Sequence, residues 1–223
     1  MLFRSLLDLG FRLPAAGGTD AMADFASLRG PVGMNRTYVA MQGDARDVAA
    51  WTAGLKAGRS FATNGPLLDL TLGGEPIGGT VTLKKAGRVP FHARLHSIVA
   101  VDHLALVCTG GVVTPLALSA DHRSADVTGS IDVGRSGWCV LRADADRARD
   151  PILDLYPYAT TSPVYLSVAG KPARSTAAAD YFLAWLDRIA EGVARHPDWN
   201  TSEERATVEA RIADARRSIS ARR

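Results

Sequence analysis

The feature that most constrains this fold is a change of periodicity near residue 67, where apolar and polar residues begin to alternate. A period of two is typical of strands with one face in a core and the other in solvent. Gly-Gly turns separate the runs, which is typical of antiparallel connections. The runs that fit strands are residues 68–72, 89–96, 104–108, 127–133, 138–141 and 163–168. We therefore predict an antiparallel β-sandwich over residues 67–170.

Before residue 67 the pattern alternates between strands and helices. The predicted elements are a helix over 2–9 closed by Gly10, strands over 11–16 and 36–41, and a helix over 44–57 closed by Gly58. Asp44 is the predicted N-cap of the second helix, and Val48, Trp51 and Leu55 share one face of it. This order suits the last units of an α/β barrel or of a layered sheet.

The residue pattern at the end of the chain predicts a helical hairpin over residues 171–223. The first helix has one broad apolar face, made of Tyr181, Phe182, Trp185, Leu186, Ile189 and Val193. His196 and Pro197 end this helix, and Thr201 with Glu204 forms a capping box for the next one. Two helices with a short connection form an αα-hairpin, which we expect to pack on the rest of the chain through the aromatic face.

The two cysteines, Cys108 and Cys139, lie in separate apolar runs of the predicted sandwich. Two buried free thiols are the simpler interpretation, because nothing else in the sequence indicates a disulfide framework. A bridge between neighbouring strands is the alternative.

Charge and hydropathy argue against two classes of partner, nucleic acids and membranes. The net charge is only +3, and much of the excess lies in a terminal group of arginines, Arg216, Arg217, Arg222 and Arg223. Such a group is typical of a solvated helix end, and no basic stripe with interleaved aromatics accompanies it. No apolar run is long enough to span a bilayer, and the first ten residues lack the cleavage site of a signal peptide. We expect no nucleic-acid or membrane partner, and a cytoplasmic location by default.

Asp20 is the first candidate for chemistry. It follows Gly17, Gly18 and Thr19 on a predicted loop just past a strand, where a carboxylate can point into a cavity and ligate a divalent metal. The same residues also make an ordinary turn or helix N-cap. Both interpretations stay open at this point.

Several blocks, in order along nearly the whole chain, resemble the CehA/McbA (carbaryl-hydrolase-like) metallohydrolases, a branch of the PHP (polymerase and histidinol phosphatase) superfamily. The blocks are residues 10–14 (GFRLP), 18–21 (GTDA), 35–39 (NRTYV), 57–66 (AGRSFATNGP), 161–166 (TSPVYL), 179–182 (ADYF) and 185–188 (WLDR). The resemblance implies an α+β chain: a remnant of the end of a PHP-type α/β barrel over residues 1–66, then the sandwich, then the helical hairpin.

The resemblance also implies roles for particular residues. Asp20 matches a late aspartate ligand of a centre that holds zinc, manganese or iron in the full-length family. Arg59, Thr63 and Asn64 belong to the block that returns near the barrel mouth, where they contact a small-molecule substrate or only fix the loop. Arg36 is expected to be structural. The implied reaction is metal-dependent hydrolysis of an ester, carbamate, amide or phosphoester.

The departures from the family are equally informative. The early His-x-His pair of the superfamily belongs upstream of Asp20, yet none of the 19 preceding residues is His, Glu or Cys, and Met22 stands where many members have a His. One carboxylate cannot hold a hydrolytic metal alone. We expect surface or cap roles for the five histidines. We therefore expect no stably bound metal and no hydrolysis by this chain alone. The alternative is a non-catalytic binding or oligomerisation module, with self-association through an exposed barrel edge.

Overall fold

The structure, a computed structural model, describes residues 2–21, 32–44, 46–152 and 154–223. The chain divides into two compact units, one of Met1–Phe11 with Pro172–Arg223 and one of Arg12–Lys171. The helices are α1 Leu2–Asp8, α2 Val48–Lys56, α3 Thr176–Arg195 and α4 Ser202–Ser220. The strands are β1 Arg36–Val39, β2 Ser60–Thr63, β3 Leu67–Leu72, β4 Glu75–Pro76, β5 Thr80–Leu83, β6 Gly87–His96, β7 His103–Cys108, β8 Val112–Pro115, β9 Ser124–Val133, β10 Gly137–Asp144, β11 Tyr158–Thr161 and β12 Val164–Val168. The chain is α+β, with mostly antiparallel sheets and a C-terminal pair of helices.

Two sheets build the larger unit. The first contains eight strands in the order β1-β2-β11-β10-β12-β5, with β7 paired to β10 and β8 paired to β7. The second contains four strands in the order β4-β3-β6-β9. One core cluster takes side chains from both, among them Leu70 and Phe91 of the second sheet and Leu141 and Val164 of the first. The predicted antiparallel strands are present, although the pairing of β5 with β12 is parallel.

The alternation of apolar residues explains the second sheet. In β6, residues 89, 91, 93 and 95 are buried while their neighbours are more exposed. Its polar face carries charged residues that pair across strands, as Arg94 does with Asp69. Burial of one face is what stabilises such a strand, because each fully buried aliphatic or aromatic side chain contributes about 1.5–3 kcal/mol.

A β-bulge lies between β11 and β12, two consecutive strands that both pair with β10. Arg142 pairs with Thr160 and Cys139 with Val164, so residues 161–163 stand opposite residues 140–141. The hydroxyl of Thr161 accepts the N–H of Leu141 at 2.9 Å. An extra residue of this kind bends a strand and increases its twist. Here it separates β11, which pairs with β2, from β12, which pairs with β5.

The segment expected to close a barrel joins the sandwich instead. Residues 11–16 have no regular secondary structure, in contrast to the predicted strand. The strands on either side of α2, β1 and β2, pair antiparallel with each other, and β2 continues into the first sheet through β11. An α/β barrel requires parallel neighbours. The described residues therefore do not confirm a barrel remnant, and the compact units divide after residues 11 and 171.

Helix α2 begins later than predicted. Asp47 is its N-cap, and its carboxylate accepts the N–H of Ala50 at 3.0 Å. The predicted cap, Asp44, is wrong because its carboxylate is engaged by the backbone and guanidinium of Arg46. Val48 is 75% exposed and Trp51 37% exposed, so the apolar face of this helix is largely open to solvent.

Cys108 and Cys139 form a disulfide, so the prediction of two free thiols is wrong. The two residues stand directly opposite each other on the antiparallel strands β7 and β10, with their Cα atoms 4.1 Å apart. This register, which the sequence does not specify, brings the two sulfur atoms within bonding reach. The inter-strand bridge weighed as the alternative is therefore the one present.

The smaller unit is helical. Its core contains Leu9 of the N-terminal segment, Ala179 and Phe182 of α3, and Ile219 of α4. The capping box is present, because the hydroxyl of Thr201 accepts the N–H of Glu204 at 3.0 Å. The predicted broad apolar face of α3 is only partly buried, since Tyr181, Trp185 and Ile189 form a separate, exposed stripe at a spacing of four residues. None of the described helices is sufficiently long and apolar to cross a membrane.

Candidate functional site

Asp20 follows a segment that is tied to the edge strand β1. The hydroxyl of Thr37 accepts the N–H of Gly17 and donates to its carbonyl, both at 2.8 Å. The hydroxyl of Thr19 accepts the N–H of Asn35 at 2.9 Å and donates to its carbonyl at 3.1 Å. Asp20 is exposed and has a φ of +57°, a left-handed conformation that Asp adopts more readily than most residues. Asp20 is therefore an exposed residue at the end of a segment that hydrogen bonds hold beside β1.

Thr63 and Asn64 are buried, and their polar atoms are engaged within the fold. The hydroxyl of Thr63 donates to the carbonyl of Pro66 at 2.6 Å and accepts the N–H of Gly65 at 2.9 Å. The amide of Asn64 accepts the N–H of Tyr158 at 2.7 Å and donates to the carbonyl of Tyr156 at 2.8 Å. These bonds fix the loop between β2 and β3 to the start of β11. A direct substrate contact by either residue stays a prediction.

The carboxylate of Asp154 joins this loop to the Asp20 segment. Its Oδ2 accepts from the amide of Asn64 at 3.1 Å and from that of Asn35 at 3.4 Å. The Asn64 amide is the main cause that holds the pKa of Asp154 below its usual range, and the N–H of Leu155 and the Asn35 amide add to it against the opposing effect of burial. The charged form of Asp154 is therefore the one that holds the two loops together.

A buried pair of serines ties two of the family-like blocks to the segment that precedes Asp20. Ser60 and Ser162 are fully buried, and their Oγ atoms lie 2.9 Å apart. Ser60 donates to the carbonyl of Ala15 at 2.8 Å, and Ser162 accepts the N–H of Ala15 at 2.8 Å. The backbone polar groups of Ala15 are thus satisfied by hydroxyls from β2 and from the bulge.

The backbones around Gly58 and Gly78 also come very close. A Cβ added to Gly78 would lie 2.3 Å from the carbonyl oxygen of Ala57, and both glycines have a positive φ. Only glycine fits such an approach without strain. Gly58, the first glycine of the block at residues 57–66, is therefore explained by packing and requires no ligand.

Arg59 and Arg36 have different surroundings. Arg59 is exposed, so of the three predicted substrate residues it is the one whose side chain is open to solvent. Arg36, expected to be structural, lies with its guanidinium 5.9 Å from the ring centre of Tyr38. It also lines a cleft of about 420 Å³ together with Tyr38, Asn64 and His96. Its Nε is buried and has no hydrogen-bond partner within the part of the chain that the structure describes. The predicted structural role of Arg36 does not account for that atom.

The histidines do not gather around Asp20. Their contacts are those of His92 with Asp126 (2.6 Å), His103 with Asp146 (2.9 Å), His122 with the carbonyl of Val101 (3.1 Å) and His196 with the ring of Trp199 (5.0 Å between centroids). The hydrogen bond with Asp146 is the main cause that raises the pKa of His103. Within the described ranges, no group of three or more His, Cys, Asp or Glu residues could hold a metal ion. These residues do not by themselves make a divalent-metal site. Met22 lies outside the described residues.

Sequence reasoning finds Asp20 and Asn64 but misses Asp154, Asn35 and the two serines. Asp154 and Asn35 are separated from Asn64 by 90 and 29 positions, and only the fold brings them together. The one available signal is that Ser60 and Ser162 both lie in blocks that carry the family resemblance. Polar residues in the middle of such blocks are candidates for buried hydrogen bonds.

The fold and this site define an α+β protein in which two sheets and a bulge support an exposed, anchored aspartate. The chain has no significant match to a family model, to a curated protein or to a solved structure. The family resemblance therefore rests on the sequence blocks alone.

Proposed function

We propose that this chain is a β-sandwich part of a metal-dependent hydrolase of the CehA/McbA type, and that Asp20 is one ligand of a centre whose other ligands lie outside the described residues. The observation that carries the proposal is the anchoring of the Asp20 turn. Thr37 of β1 and Asn35, which directly precedes β1, hold the segment on both sides of Gly18, and Asp20 itself is an exposed residue. A ligand that completes a site built by other residues needs this kind of rigid presentation.

The convergence of the family-like blocks supports the same proposal. Ser60 and Ser162 come from two blocks and share one buried network with Ala15, which directly follows a third. Asn64 and Asn35, from two blocks, share the carboxylate of Asp154. Blocks that are scattered along a chain and meet in one place behave as a structural unit. In this proposal their task is to position the Asp20 turn, and Arg59 is the residue free to approach a substrate.

The proposed activity requires more than this chain supplies. One aspartate can contribute charge to a centre but cannot fix a divalent ion by itself, because hydrolytic sites use three or more protein ligands. The chain alone is therefore expected to be inactive as a hydrolase. The proposed substrates, through the family resemblance, are esters, carbamates, amides or phosphoesters.

A hydrolysis assay tests the proposal. The chain is incubated with p-nitrophenyl acetate and with bis-p-nitrophenyl phosphate, with and without Zn²⁺ or Mn²⁺, beside the variants Asp20→Asn and Asp44→Asn. No metal-dependent turnover is expected for any of them. In a longer polypeptide that adds a His-x-His segment ahead of this chain, turnover is expected, and Asp20→Asn should abolish it while the exposed control Asp44→Asn should not. Equal activity of the two variants there would overturn the role of Asp20.

A second candidate function is a non-catalytic binding module, and the cleft beside Arg36 favours it. The cleft has about 420 Å³, within the usual range for small-molecule sites, and combines an arginine with apolar walls that include Leu67 and Ile98. Binding of a small anion that Arg36→Gln abolishes, without effect of Asp20→Asn, would favour this candidate over the first.

A further inference from the structure

A second, larger cleft lies at an open end of the sandwich, on residues that the proposed function does not use. It has about 740 Å³ and is here called the edge cleft, defined by Cys108, Val112, Thr114, Ile131, Arg135 and Trp138. Val112 and Thr114 belong to β8, an edge strand of the first sheet, and Ile131 belongs to β9, an edge strand of the second. The cleft therefore lies between the two sheets at the point where neither edge is covered by a described strand.

The walls of the edge cleft are part polar and part apolar: Thr109, Thr114 and Ser130 line it beside apolar residues that are continuous with the core. Cys108 and Ile131 pack against the core cluster, yet both also line the cleft. Val112, on the opposite edge, is 60% exposed. Apolar side chains at an open end of a sandwich can bury an apolar ligand in the same way that they would bury each other.

The floor of the edge cleft is rigid. The disulfide joins Cys108 to Cys139, and the N–H of Trp138 donates to the hydroxyl of Thr109 at 2.7 Å. Gly137 makes this contact possible, because a Cβ at that position would lie 2.0 Å from the Thr109 Oγ1. A preformed floor lowers the conformational cost of binding.

A cationic side chain marks the mouth. Arg135 lies in the turn between β9 and β10, and its Nη2 is close to Gly110, 3.0 Å from where a Cβ would stand. Among the residues that the structure describes, no carboxylate forms an ion pair with Arg135. Asp132 also lines the cleft; it is exposed, and its register partner across the strands is Arg88 of β6. With Arg135 and Arg88 against Asp132, the formal charge around the mouth is net positive.

We propose that the edge cleft binds a small amphipathic carboxylate, with its apolar chain between β8 and β9 and its carboxylate on Arg135. A planar guanidinium suits the planar, two-oxygen carboxylate. The apolar part of the walls suits an aliphatic or aromatic body, and a volume of this size accommodates a medium-length chain.

Titration calorimetry of the full chain with octanoate tests the proposal, with octylamine and octanol as head-group controls. Octanoate is expected to bind saturably, and the two controls at least about tenfold more weakly, since a hydrogen-bonded charged pair is lost. Arg135→Gln should weaken octanoate binding by about tenfold. Val112→Asp should abolish it by placing a negative charge in the apolar part of the wall. Arg46→Gln, at an exposed arginine that is not among the residues lining either cleft, should leave it unchanged, and Arg36→Gln reports any binding in the other cleft.

Circular dichroism of each variant establishes that it is folded, and sedimentation shows whether a second copy occupies the cleft. Three results would overturn the proposal: equal affinity for octanoate and octylamine, a loss of binding in Arg36→Gln but not in Arg135→Gln, or a dimer that Val112→Asp dissociates and octanoate does not. None of these results bears on Asp20, so failure here leaves the proposed hydrolase role intact.

Discussion

Reduction of the disulfide between Cys108 and Cys139 should destabilise the sandwich by a measurable amount. The two residues are separated by 31 positions. In the chain-entropy model, closing a loop of that length lowers the entropy of the unfolded chain by about 12 cal/mol/K, which corresponds to about 3.7 kcal/mol of stability at 25 °C. Nothing in the folded state needs to change for this loss to occur, because the strands β7 and β10 remain paired over six residues.

Urea unfolding with and without a phosphine reductant measures the effect. With a denaturant slope of about 2 kcal/mol/M, the midpoint should fall by about 2 M on reduction. The variant Cys108→Ala/Cys139→Ala is the matched control, and its midpoint should not respond to the reductant. A shift below about 0.5 M in the wild-type chain would refute the entropic reasoning, because it would correspond to only about 1 kcal/mol.

Three further predictions concern caps, buried hydroxyls and pH. Asp47→Ala should destabilise by about 1 kcal/mol through loss of the α2 cap, whereas Asp44→Ala should have little effect, and thermal unfolding distinguishes them. Ser162→Ala should cost about 1–3 kcal/mol in chemical denaturation, because the buried N–H of Ala15 loses its acceptor; stability equal to wild type would contradict the network. The pKa of Asp154 is lowered in the folded protein. Its ionised carboxylate therefore stabilises the fold above the unfolded pKa of about 3.9, and this stabilisation is lost as the pH falls through the lower folded pKa. Asp154→Asn should therefore flatten the acid limb of the stability curve, and an unchanged limb would count against it.

The sequence predicts the sandwich where each strand has one clearly apolar face. Strands β3 and β6 are predictable for this reason, because their buried and polar residues alternate without interruption. Strands β5 and β11 escape prediction, because each has only four residues, too few to establish a period. Their pairing is also non-local, since β11 joins β2 and β5 joins β12.

The candidate site likewise has features that the local sequence predicts and features that depend on non-local pairing. The loop position of Asp20 follows from its glycine-rich neighbours, and local chemistry is sufficient to predict it. The disulfide is not predictable, because it depends on the register of β7 against β10. Two aspartates three positions apart, Asp44 and Asp47, can each cap α2, and the sequence alone favours the wrong one. Helix boundaries are uncertain by one or two residues, and Arg46 binds the carboxylate of Asp44.

In the proposed function, Asp20 is a single presented ligand, and the metal centre is one that this chain does not complete by itself. Equilibrium dialysis of the chain and of Asp20→Asn against Zn²⁺ or Mn²⁺, followed by metal analysis, tests both statements most directly. We expect the same low occupancy for both proteins, well below one ion per chain. One tightly held ion per wild-type chain that Asp20→Asn removes would contradict this expectation.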